Sequence, residues 1–308
     1  MKAQIVVIGS SNVDFIMQVE RLPAVGETVT DAVFMQTYGG KGANQAVAAA
    51  RAGGGVTFVT GLGADIYGKT MRENFQRDGI NTDYALIAPR TPSGSALIMF
   101  DQNGENYLTV APGANYALTP EHIETCAEVI SKADILILQM EIPIPVIERA
   151  LEVAAASGTR TLLNYAPVRN REIVITDKIS VLIVNETEAE ALTGVKIESM
   201  EHISIAAEFL QAQGPQIVVI TLGAEGAFVL SDDFAELIPA FPVTPVDTTA
   251  AGDTFCGAFA VALAEGKTPP EAARFANAAS ALSVTKMGAQ PSIPQRAEIE
   301  IQGNRQDI

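Results

Sequence analysis

The sequence predicts an α/β fold: a central, mostly parallel sheet with helices on both faces, and a small β-sheet beside it. From residue 119 onward, short apolar runs alternate with stretches of helical length, a pattern typical of parallel sheets. Residues 12–38 and 93–112 interrupt this alternation with strand-like patterns. No linker rich in Pro, Gly or Ser and no repeat divides the chain. We therefore expect a single domain, 1–308, in which the two interrupting segments form a lid.

The composition favours a globular protein that binds a small molecule. Of the 308 residues, 48% are apolar and 18% are charged, which excludes a disordered chain. The net charge of −16 argues against binding to nucleic acid or to an anionic membrane surface. The two cysteines, Cys126 and Cys256, have no metal-binding spacing. No apolar run has the length of a signal-peptide core or a membrane span, so we expect a cytoplasmic protein.

The first predicted element is a buried strand at residues 5–8, a continuous apolar run. The next residues, 9–14, read Gly-Ser-Ser-Asn-Val-Asp, so Asn12 and Asp14 follow the carboxyl end of a strand, where open α/β sheets bind their ligands. These two side chains can donate to and accept from sugar hydroxyls. Both residue types also favour turns, and that alternative stays open.

The predicted lid contains two strand-like regions. Residues 15–38 include a turn at 22–26, and residues 95–100 and 107–110 form a hairpin through 101–104. A lid of this kind would exclude water from a transferase site.

A glycine-rich segment lies between the two parts of the lid. Residues 39–44 read Gly-Gly-Lys-Gly-Ala-Asn and precede a predicted Ala-rich helix at 45–52. The three glycines let the backbone come close to a bound polyol, and Lys41 and Asn44 can donate hydrogen bonds to it.

Residues 63–70, Gly-Ala-Asp-Ile-Tyr-Gly-Lys-Thr, match the Walker A phosphate-loop pattern and raise the alternative of a P-loop NTPase. A phosphate cradle needs successive backbone amides, whereas Asp65, Ile66 and Tyr67 place one acidic and two bulky side chains there. No later strand ends in an obvious magnesium-binding Asp. We therefore favour a chance match.

The remaining predicted elements carry polar residues at the strand ends. We expect helices at 120–133, 143–156, 202–212 and 268–287, strands at 135–140, 161–163, 181–184 and 217–221, and a hairpin of 227–229 and 234–239. The polar residues are Glu141, Asn164, Asn185 with Glu188, and the segment Thr-Leu-Gly-Ala-Glu-Gly at 221–226. The carboxyl ends of parallel strands share one edge of the sheet, so these residues are candidates for ligand binding.

The segment 246–257, Val-Asp-Thr-Thr-Ala-Ala-Gly-Asp-Thr-Phe-Cys-Gly, is predicted to be a loop that enters a helix. The first N–H groups of a helix lack internal partners and bind anions. The small side chains of Ala250, Ala251 and Gly252 would let a phosphate reach those amides. Asp253 would then be the base that accepts the proton of an attacking hydroxyl. A helix N-cap is the alternative interpretation of this aspartate.

Together these segments resemble the ribokinase-like carbohydrate kinases over nearly the whole chain. The signatures are Gly-Gly-Lys-Gly-Ala-Asn-Gln-Ala at 39–46, Asn-Glu-Thr-Glu at 185–188 and Asp-Thr-Thr-Ala-Ala-Gly-Asp-Thr-Phe at 247–255. The resemblance implies ATP-dependent phosphorylation of D-ribose at its 5-hydroxyl, with 2-deoxyribose or fructose as alternative substrates. It also implies Mg²⁺ and K⁺ as cofactors and a homodimer formed through the lid. Many members have Gly-Ala-Gly-Asp where this chain has Ala-Ala-Gly-Asp at 250–253.

The resemblance also implies a role for individual residues. Asp253 would be the base, and the amides of Ala250, Ala251 and Gly252 the anion hole. The sugar pocket would comprise Asn12, Asp14, Gly39, Gly40, Lys41, Asn44, Glu141 and Asp253. Asn185 and Glu188 would position magnesium and the phosphates through water, and the nucleotide would lie along Thr221, Leu222, Gly223, Ala224, Glu225, Gly226, Gly252 and Asn277. Potassium would be surrounded by Asp247, Thr249, Ser283, Lys286, Gly288 and Ser292. An Asn12 amide that binds the sugar 2-hydroxyl would make 2-deoxyribose the weaker substrate.

Overall fold

The computed structural model describes residues 2–102, 106–168 and 175–304. Its strands are β1 Gln4–Ile8, β2 Asn12–Gln18, β3 Val33–Gly39, β4 Gly55–Val59, β5 Gly61–Gly63, β6 Leu86–Ala88, β7 Gly94–Phe100, β8 Asn106–Ala111, β9 Ile135–Gln139, β10 Arg160–Asn164, β11 Val181–Asn185, β12 Ile217–Thr221, β13 Gly226–Ser231 and β14 Phe234–Pro239. Its α-helices are α1 Lys41–Arg51, α2 Ile66–Arg77, α3 Pro120–Thr125, α4 Ala127–Ser131, α5 Ile144–Ser157, α6 Glu186–Thr193, α7 Met200–Gln211, α8 Ala251–Ala264, α9 Pro269–Ser283 and α10 Arg296–Gly303.

A large sheet in the order β14-β13-β12-β11-β10-β9-β1-β4 forms the centre of the molecule. Its pairs are parallel from β4 to β12, as strands joined by long crossover connections can be, whereas β13 and β14 join as antiparallel hairpins. The predicted α/β class, with a mostly parallel central sheet, is therefore confirmed.

Two apolar cores lie on opposite faces of this sheet. One contains buried residues of α1, α8 and α9, and the other contains buried residues of α5 and α7. Strands β1, β9 and β11 alternate their side chains between these cores, so nearly every residue in them is buried. This burial explains why each strand has a continuous apolar run in the sequence.

A separate four-stranded sheet, in the order β3-β2-β7-β8, stands beside the large one. Its strands come from the two segments that interrupt the helix–strand alternation. Asn12 pairs with Gly39 on one side and with Gly94 on the other, so this sheet begins where β1 has just ended. Of the predicted connection at 101–104, residues 103 and 104 lie outside the described residues.

The glycine-rich segment corrects one prediction, because α1 begins at Lys41 rather than at residue 45. Gly40 precedes the helix with φ of 90°, a conformation that favours glycine. A Cβ atom on Gly42 would lie 2.5 Å from the Ser10 backbone nitrogen. The glycines therefore bring the first turn of α1 against the residues that follow β1, and Lys41 and Asn44 belong to the helix rather than to a loop.

Other differences from the predicted elements are small. The predicted helix at 120–133 is divided into α3 and α4 at Cys126, and α9 ends at Ser283 rather than at residue 287. The short helices α6 and α10 have too few turns to show a helical period, and the sequence analysis missed both. Within the ranges that the structure describes, no helix combines the length and apolar character needed to cross a membrane.

Candidate active site

The first turn of α8 presents unpaired backbone N–H groups. Ala250 is the N-cap residue, and no side chain of the described part of the chain caps this end. Ala251 N–H donates to Thr248 O at 3.2 Å and Thr254 N–H to Ala250 O at 2.8 Å. The N–H groups of Gly252 and Asp253 have no acceptor among the described residues. The predicted anion hole of Ala250, Ala251 and Gly252 is therefore corrected in one respect, because the Ala251 amide is already bonded to Thr248. Because the helix dipole adds positive charge at this end, the turn can bind an anion.

Backbone strain marks the entrance to this helix. Ala250 has φ of 62°, and in the part of the chain that the structure describes it is the only non-glycine residue with a positive φ. This left-handed conformation costs an alanine roughly 1–2 kcal/mol. At Gly252, a Cβ atom would meet no atom within 4 Å, so the space before it belongs to the cavity. The loop before α8 is therefore strained at the point where a ligand would approach.

Asp253 is held by two amides from α1. It is buried, with 6% of its surface exposed, and it occupies the third residue of α8 rather than the N-cap. Asn44 Nδ2 donates to Asp253 Oδ2 at 2.9 Å, and Gln45 Nε2 donates to Asp253 Oδ1 at 3.0 Å. The N-cap interpretation of Asp253 is therefore wrong. Gln45 was not among the predicted site residues, because the sequence places it only at the start of an Ala-rich helix.

Asn44 has a free acceptor beside Asp253. Its Oδ1 atom is buried and has no hydrogen-bond partner among the described residues. A buried carbonyl without a partner is costly. A ligand hydroxyl could therefore donate to Asn44 while it meets the Asp253 carboxylate.

The carboxylates of Glu141 and Asp14 lie at the start of α1. Glu141 Oε2 accepts from Ser10 Oγ at 2.5 Å and from Lys41 N at 3.0 Å, so it holds the glycine-rich turn against the end of β1. A Cβ atom on Gly39 would lie 2.2 Å from Asp14 Oδ2, which leaves room only for glycine there. Burial, and then the charge of Glu141, raise the pKa of Asp14 to about 7.

Asn12 is fixed by a residue that the sequence analysis missed. Asn115 Nδ2 donates to Asn12 Oδ1 at 2.9 Å, while Asn115 Oδ1 accepts from Ser11 N at 2.9 Å. Among the described residues, nothing accepts from Asn12 Nδ2, so this nitrogen remains a donor for a ligand. Asn115 lies in a 3₁₀ turn, Gly113–Ala117, where no periodicity identifies it in the sequence.

A cavity joins the start of α8 to the carboxyl ends of β10, β11 and β12. Lys41, Asn164, Asn185, Glu188 and Thr221 line it together with residues 250–253. The negative charge of Asp253 raises the pKa of Lys41, so this lysine stays charged. Burial raises the pKa of Glu188 above its ordinary value. The cavity therefore combines a cation, two carboxylates and the free N–H groups of a helix.

Asn185 and Glu188 form a capping box at the start of α6. Glu188 N donates to Asn185 Oδ1, and Asn185 N donates to Glu188 Oε2, both at 2.8 Å. Glu188 Oε1 is left for a ligand. Among the described residues there is no group of three or more His, Cys, Asp or Glu that could hold a metal. A magnesium ion here fits only if phosphates and water complete its shell, as this ion commonly requires.

The predicted nucleotide segment follows β12. Thr221 ends the strand in the cavity, and Gly223–Glu225 form a 3₁₀ turn. A Cβ atom on Gly226 would lie 2.1 Å from Ile238 O, so this glycine permits close packing on β14. Asn277 on α9 donates Nδ2 to Ile238 O at 2.9 Å and to Pro239 O at 3.1 Å. Asn277 thus ties α9 to β14, outside the residues that line the cavity.

Three of the predicted potassium residues, Asp247, Thr249 and Gly288, are joined by hydrogen bonds at the loop before α8. Lys286 instead pairs with Glu298. Asp247 Oδ1 accepts from Thr249 N at 2.9 Å, and Asp247 Oδ2 accepts from Gly288 N at 2.8 Å. Burial raises the pKa of Asp247, but these hydrogen bonds outweigh it and hold the pKa below its ordinary value. Ser283 and Ser292 donate their hydroxyls to carbonyl groups, which leaves oxygen lone pairs free. Carboxylate, hydroxyl and carbonyl oxygens are the kind of ligands that a monovalent cation takes.

The Walker A match is closed by protein acceptors. Asp65 caps α2 by accepting from Gly68 N at 2.8 Å, and it also accepts from Ser93 N at 2.7 Å. Gly63 N donates to Ser93 Oγ at 3.1 Å. The Lys69 side chain is 73% exposed. The amides of Gly63, Ala64, Gly68 and Lys69 already donate to protein acceptors, and the Asp65 carboxylate lies in the middle of the segment. The P-loop alternative therefore does not fit this structure.

Comparisons with known proteins agree on one family. The model of the pfkB family carbohydrate kinases matches residues 2–296. The chain is 41% identical over 298 residues to a ribokinase from Haemophilus influenzae, with 97% of each chain covered. It is 38% identical over 291 residues to a deoxyribokinase from Salmonella typhi, covering 94% of this chain and 95% of the relative. The structure of Arabidopsis thaliana ribokinase complexed with ribose and ATP matches with a TM-score of 0.91 at 35% identity, covering 98% of this chain and 99% of that one.

Replacing the strained alanine tests whether the entrance to α8 stores strain. Ala250→Gly should raise the free energy of unfolding by roughly 0.5–1 kcal/mol, because glycine accepts the left-handed conformation but gains entropy in the unfolded chain. Thermal or denaturant unfolding measures the change. The matched control, Ala251→Gly, has helical geometry and should lower the free energy of unfolding. Destabilisation by both substitutions would contradict the assigned strain.

Proposed function

We propose that this chain, which belongs to the pfkB family of carbohydrate kinases, uses ATP to phosphorylate D-ribose at its 5-hydroxyl. The observation that carries this proposal is the position of Asp253, one residue after the free Gly252 N–H and between the two amides from α1. A carboxylate beside an anion-binding turn is poorly suited to bind phosphate itself. It is well suited to accept a proton from a hydroxyl that attacks a phosphoryl group bound there.

The reaction follows from this arrangement. Asp253 accepts the proton of the ribose 5-hydroxyl while the 5-oxygen attacks the γ-phosphorus of ATP. The bond between the γ-phosphorus and the β,γ-bridging oxygen breaks, and ADP leaves. The N–H groups of Gly252 and Asp253 and the start of the α8 dipole stabilise the charge on the transferring group. Lys41 places a cation in the same cavity. Bound magnesium would neutralise phosphate charge, and Glu188 would hold it through water.

The sugar pocket lies between α1 and the small sheet. We assign its hydrogen bonds to Asn12, Asp14, Lys41 and Asn44, with Gly39 and Gly40 providing space. Asn44 Oδ1 and Asn12 Nδ2 are the free polar atoms that support this assignment. Glu141 acts chiefly on the protein, because its Oε2 already accepts from Ser10 and Lys41.

Several finer properties belong to the same proposal. We assign ATP to the cavity edge at Thr221 and residues 222–226, and potassium to the loop of Asp247 and Thr249. The small sheet of β2, β3, β7 and β8 would act as the lid and as the surface of a homodimer. Its exposed apolar side chains, Leu97, Tyr107 and Leu108 among them, support an interface there. A cytoplasmic location fits a kinase that uses ATP.

A second candidate substrate is 2-deoxy-D-ribose, since one relative is a deoxyribokinase at 38% identity. Asn12 favours ribose over it. Asn115 donates a hydrogen bond to Asn12 Oδ1, and this bond leaves the Asn12 N–H groups to face a ligand. A sugar that lacks its 2-hydroxyl would leave this buried donor unpaired, which disfavours the deoxy compound.

The role of Asp253 is tested by replacing its charge. Asp253→Asn should lower kcat for ribose-dependent ADP release by about 10²–10⁴-fold, because the amide cannot accept the proton. Binding of ATP, measured by calorimetry, should persist. Lys69→Ala serves as the comparison and should keep nearly full activity, since Lys69 lies at the closed Walker A match. Near-full activity of Asp253→Asn, or loss of activity in Lys69→Ala, would contradict the mechanism.

The raised pKa of Asp14 predicts how sugar binding depends on pH. Ionised Asp14 accepts sugar hydroxyls, and protonation through its pKa of about 7 removes an acceptor as the pH falls. The KM for D-ribose should therefore rise about tenfold between pH 8 and pH 6. In Asp14→Asn, the KM should be high and should not vary over this range. Parallel pH dependence in the variant and the wild type would assign the titration to another group.

A further inference from the structure

A row of buried side-chain amides connects the central sheet with Asp253. Gln139, at the end of β9, donates Nε2 to Gln45 Oε1 at 2.8 Å. Gln45 donates Nε2 both to Asp253 Oδ1 and to Asn164 Oδ1, each at 3.0 Å. Asn164, at the end of β10, donates Nδ2 to Ile183 O at 3.2 Å. Gln45 and Gln139 are fully buried, so water does not compete for these bonds.

The hydrogen bonds of this row of amides can run in only one donor-to-acceptor direction. Ile183 O is a backbone carbonyl and can only accept, so Asn164 must turn its nitrogen toward it and its oxygen toward Gln45. An ionised Asp253 also only accepts, so Gln45 must direct its nitrogen to both neighbours. Gln45 thereby uses both of its N–H groups and its carbonyl within the protein. Its side chain has one orientation and no group left for a ligand.

We infer that Gln45 is a positioning residue for the phosphoryl transfer: it holds Asp253 in one rotamer and stabilises the ionised carboxylate that accepts the hydroxyl proton. The inference rests on the proposed role of Asp253 as base. A hydrogen bond donated to an ionised carboxylate stabilises that form. Gln45 supplies such a bond at Oδ1, as Asn44 does at Oδ2. Asn44 also faces the sugar with its free Oδ1, whereas Gln45 faces only the protein.

Other charged or titratable groups face Asp253 from each neighbouring element. The charge of Asp253 raises the pKa of Lys41 on α1, and burial together with that charge raises the pKa of Glu188 at the start of α6. Cys256 lies one turn later on α8, where burial raises the pKa of its thiol and keeps it neutral. A neutral substitution of Gln45 leaves Lys41, Glu188 and Cys256 in place. The effect of Gln45 on Asp253 can therefore be separated from the effects of these three groups.

The decisive experiment compares the pH dependence of kcat in the full chain with Mg-ATP and D-ribose. Gln45→Met keeps the volume and the net charge but removes both donors. In the plot of kcat against pH for this variant, the acidic limb should lie about one pH unit higher than in the wild type. At a pH within that limb, kcat should be about tenfold below the wild-type value. The KM for ribose should change less than about threefold, because Gln45 has no group free for the sugar. Gln45→Glu should move the limb further, since it places a second carboxyl against Asp253.

A matched control separates this role from simple packing. Thr161 lies at the opposite end of β10 from Asn164, donates Oγ1 to Lys178 O at 2.6 Å and accepts from Ser180 N at 2.9 Å. Thr161→Val should lower thermal stability as Gln45→Met does, but should leave the acidic limb in place. An unmoved limb in Gln45→Met would overturn the inference, whatever the size of its kcat.

A second variant and a second measurement keep the inference testable if Gln45→Met does not fold. If Gln45→Met does not fold, Gln139→Met removes the donor that orients Gln45 and should move the limb by a smaller amount in the same direction. The pKa of Asp253 can also be followed by carboxyl ¹³C NMR, with Asp253→Asn identifying the signal. A wild type without ribose-dependent ADP release would refute the proposed function, whereas an Asp253 pKa unchanged in these variants would refute the role of Gln45.

Discussion

Close packing of α1 against α8 is the constraint on which the candidate site depends. A Cβ atom on Gly257 would lie 2.6 Å from both Ala48 Cβ and Gln45 O, so the two helices approach as closely as their backbones allow. This approach brings Asn44 and Gln45 within hydrogen-bond distance of Asp253. A larger residue at the crossing would separate the helices and the carboxylate from its amides. The small residues of α1 and α8 thus set the distance between the two helices at the site, in addition to packing in the core.

The starts of α2 and α8 show that similar loop sequences before a helix can have different roles. At α2, the Asp65 carboxylate caps the first turn by accepting from Gly68 N, and the amides of Gly63 and Ala64 before it also donate to protein acceptors. At α8, the N-cap is a strained alanine without a capping side chain, and the amides of Gly252 and Asp253 remain open. Anion binding therefore depends on whether a neighbouring side chain already occupies the helix start. Loop composition alone does not determine it.

The sequence was sufficient for the fold class and for part of the site. Buried parallel strands are continuous apolar runs, so β1, β9 and β11 could be located, and Asp253 follows from the small residues before a helix. The start of α1 was missed because glycines usually end helices; here they are needed for close approach to Ser10. Gln45 and Asn115 were missed because their partners are distant in sequence. A polar residue on an otherwise apolar helix face was the available signal for Gln45, since a buried amide needs partners.

We propose that the cavity at α8 transfers phosphate from ATP to ribose, that the Asn12 amide selects the 2-hydroxyl, and that potassium shapes the loop before the helix. The most direct measurement is ADP release by the wild-type chain with Mg-ATP and either D-ribose or 2-deoxy-D-ribose, in potassium and in sodium buffer. We expect release that depends on the sugar, a higher kcat/KM for D-ribose than for 2-deoxy-D-ribose, and stimulation by potassium. Release with neither sugar, or a preference for 2-deoxy-D-ribose, would contradict this proposal.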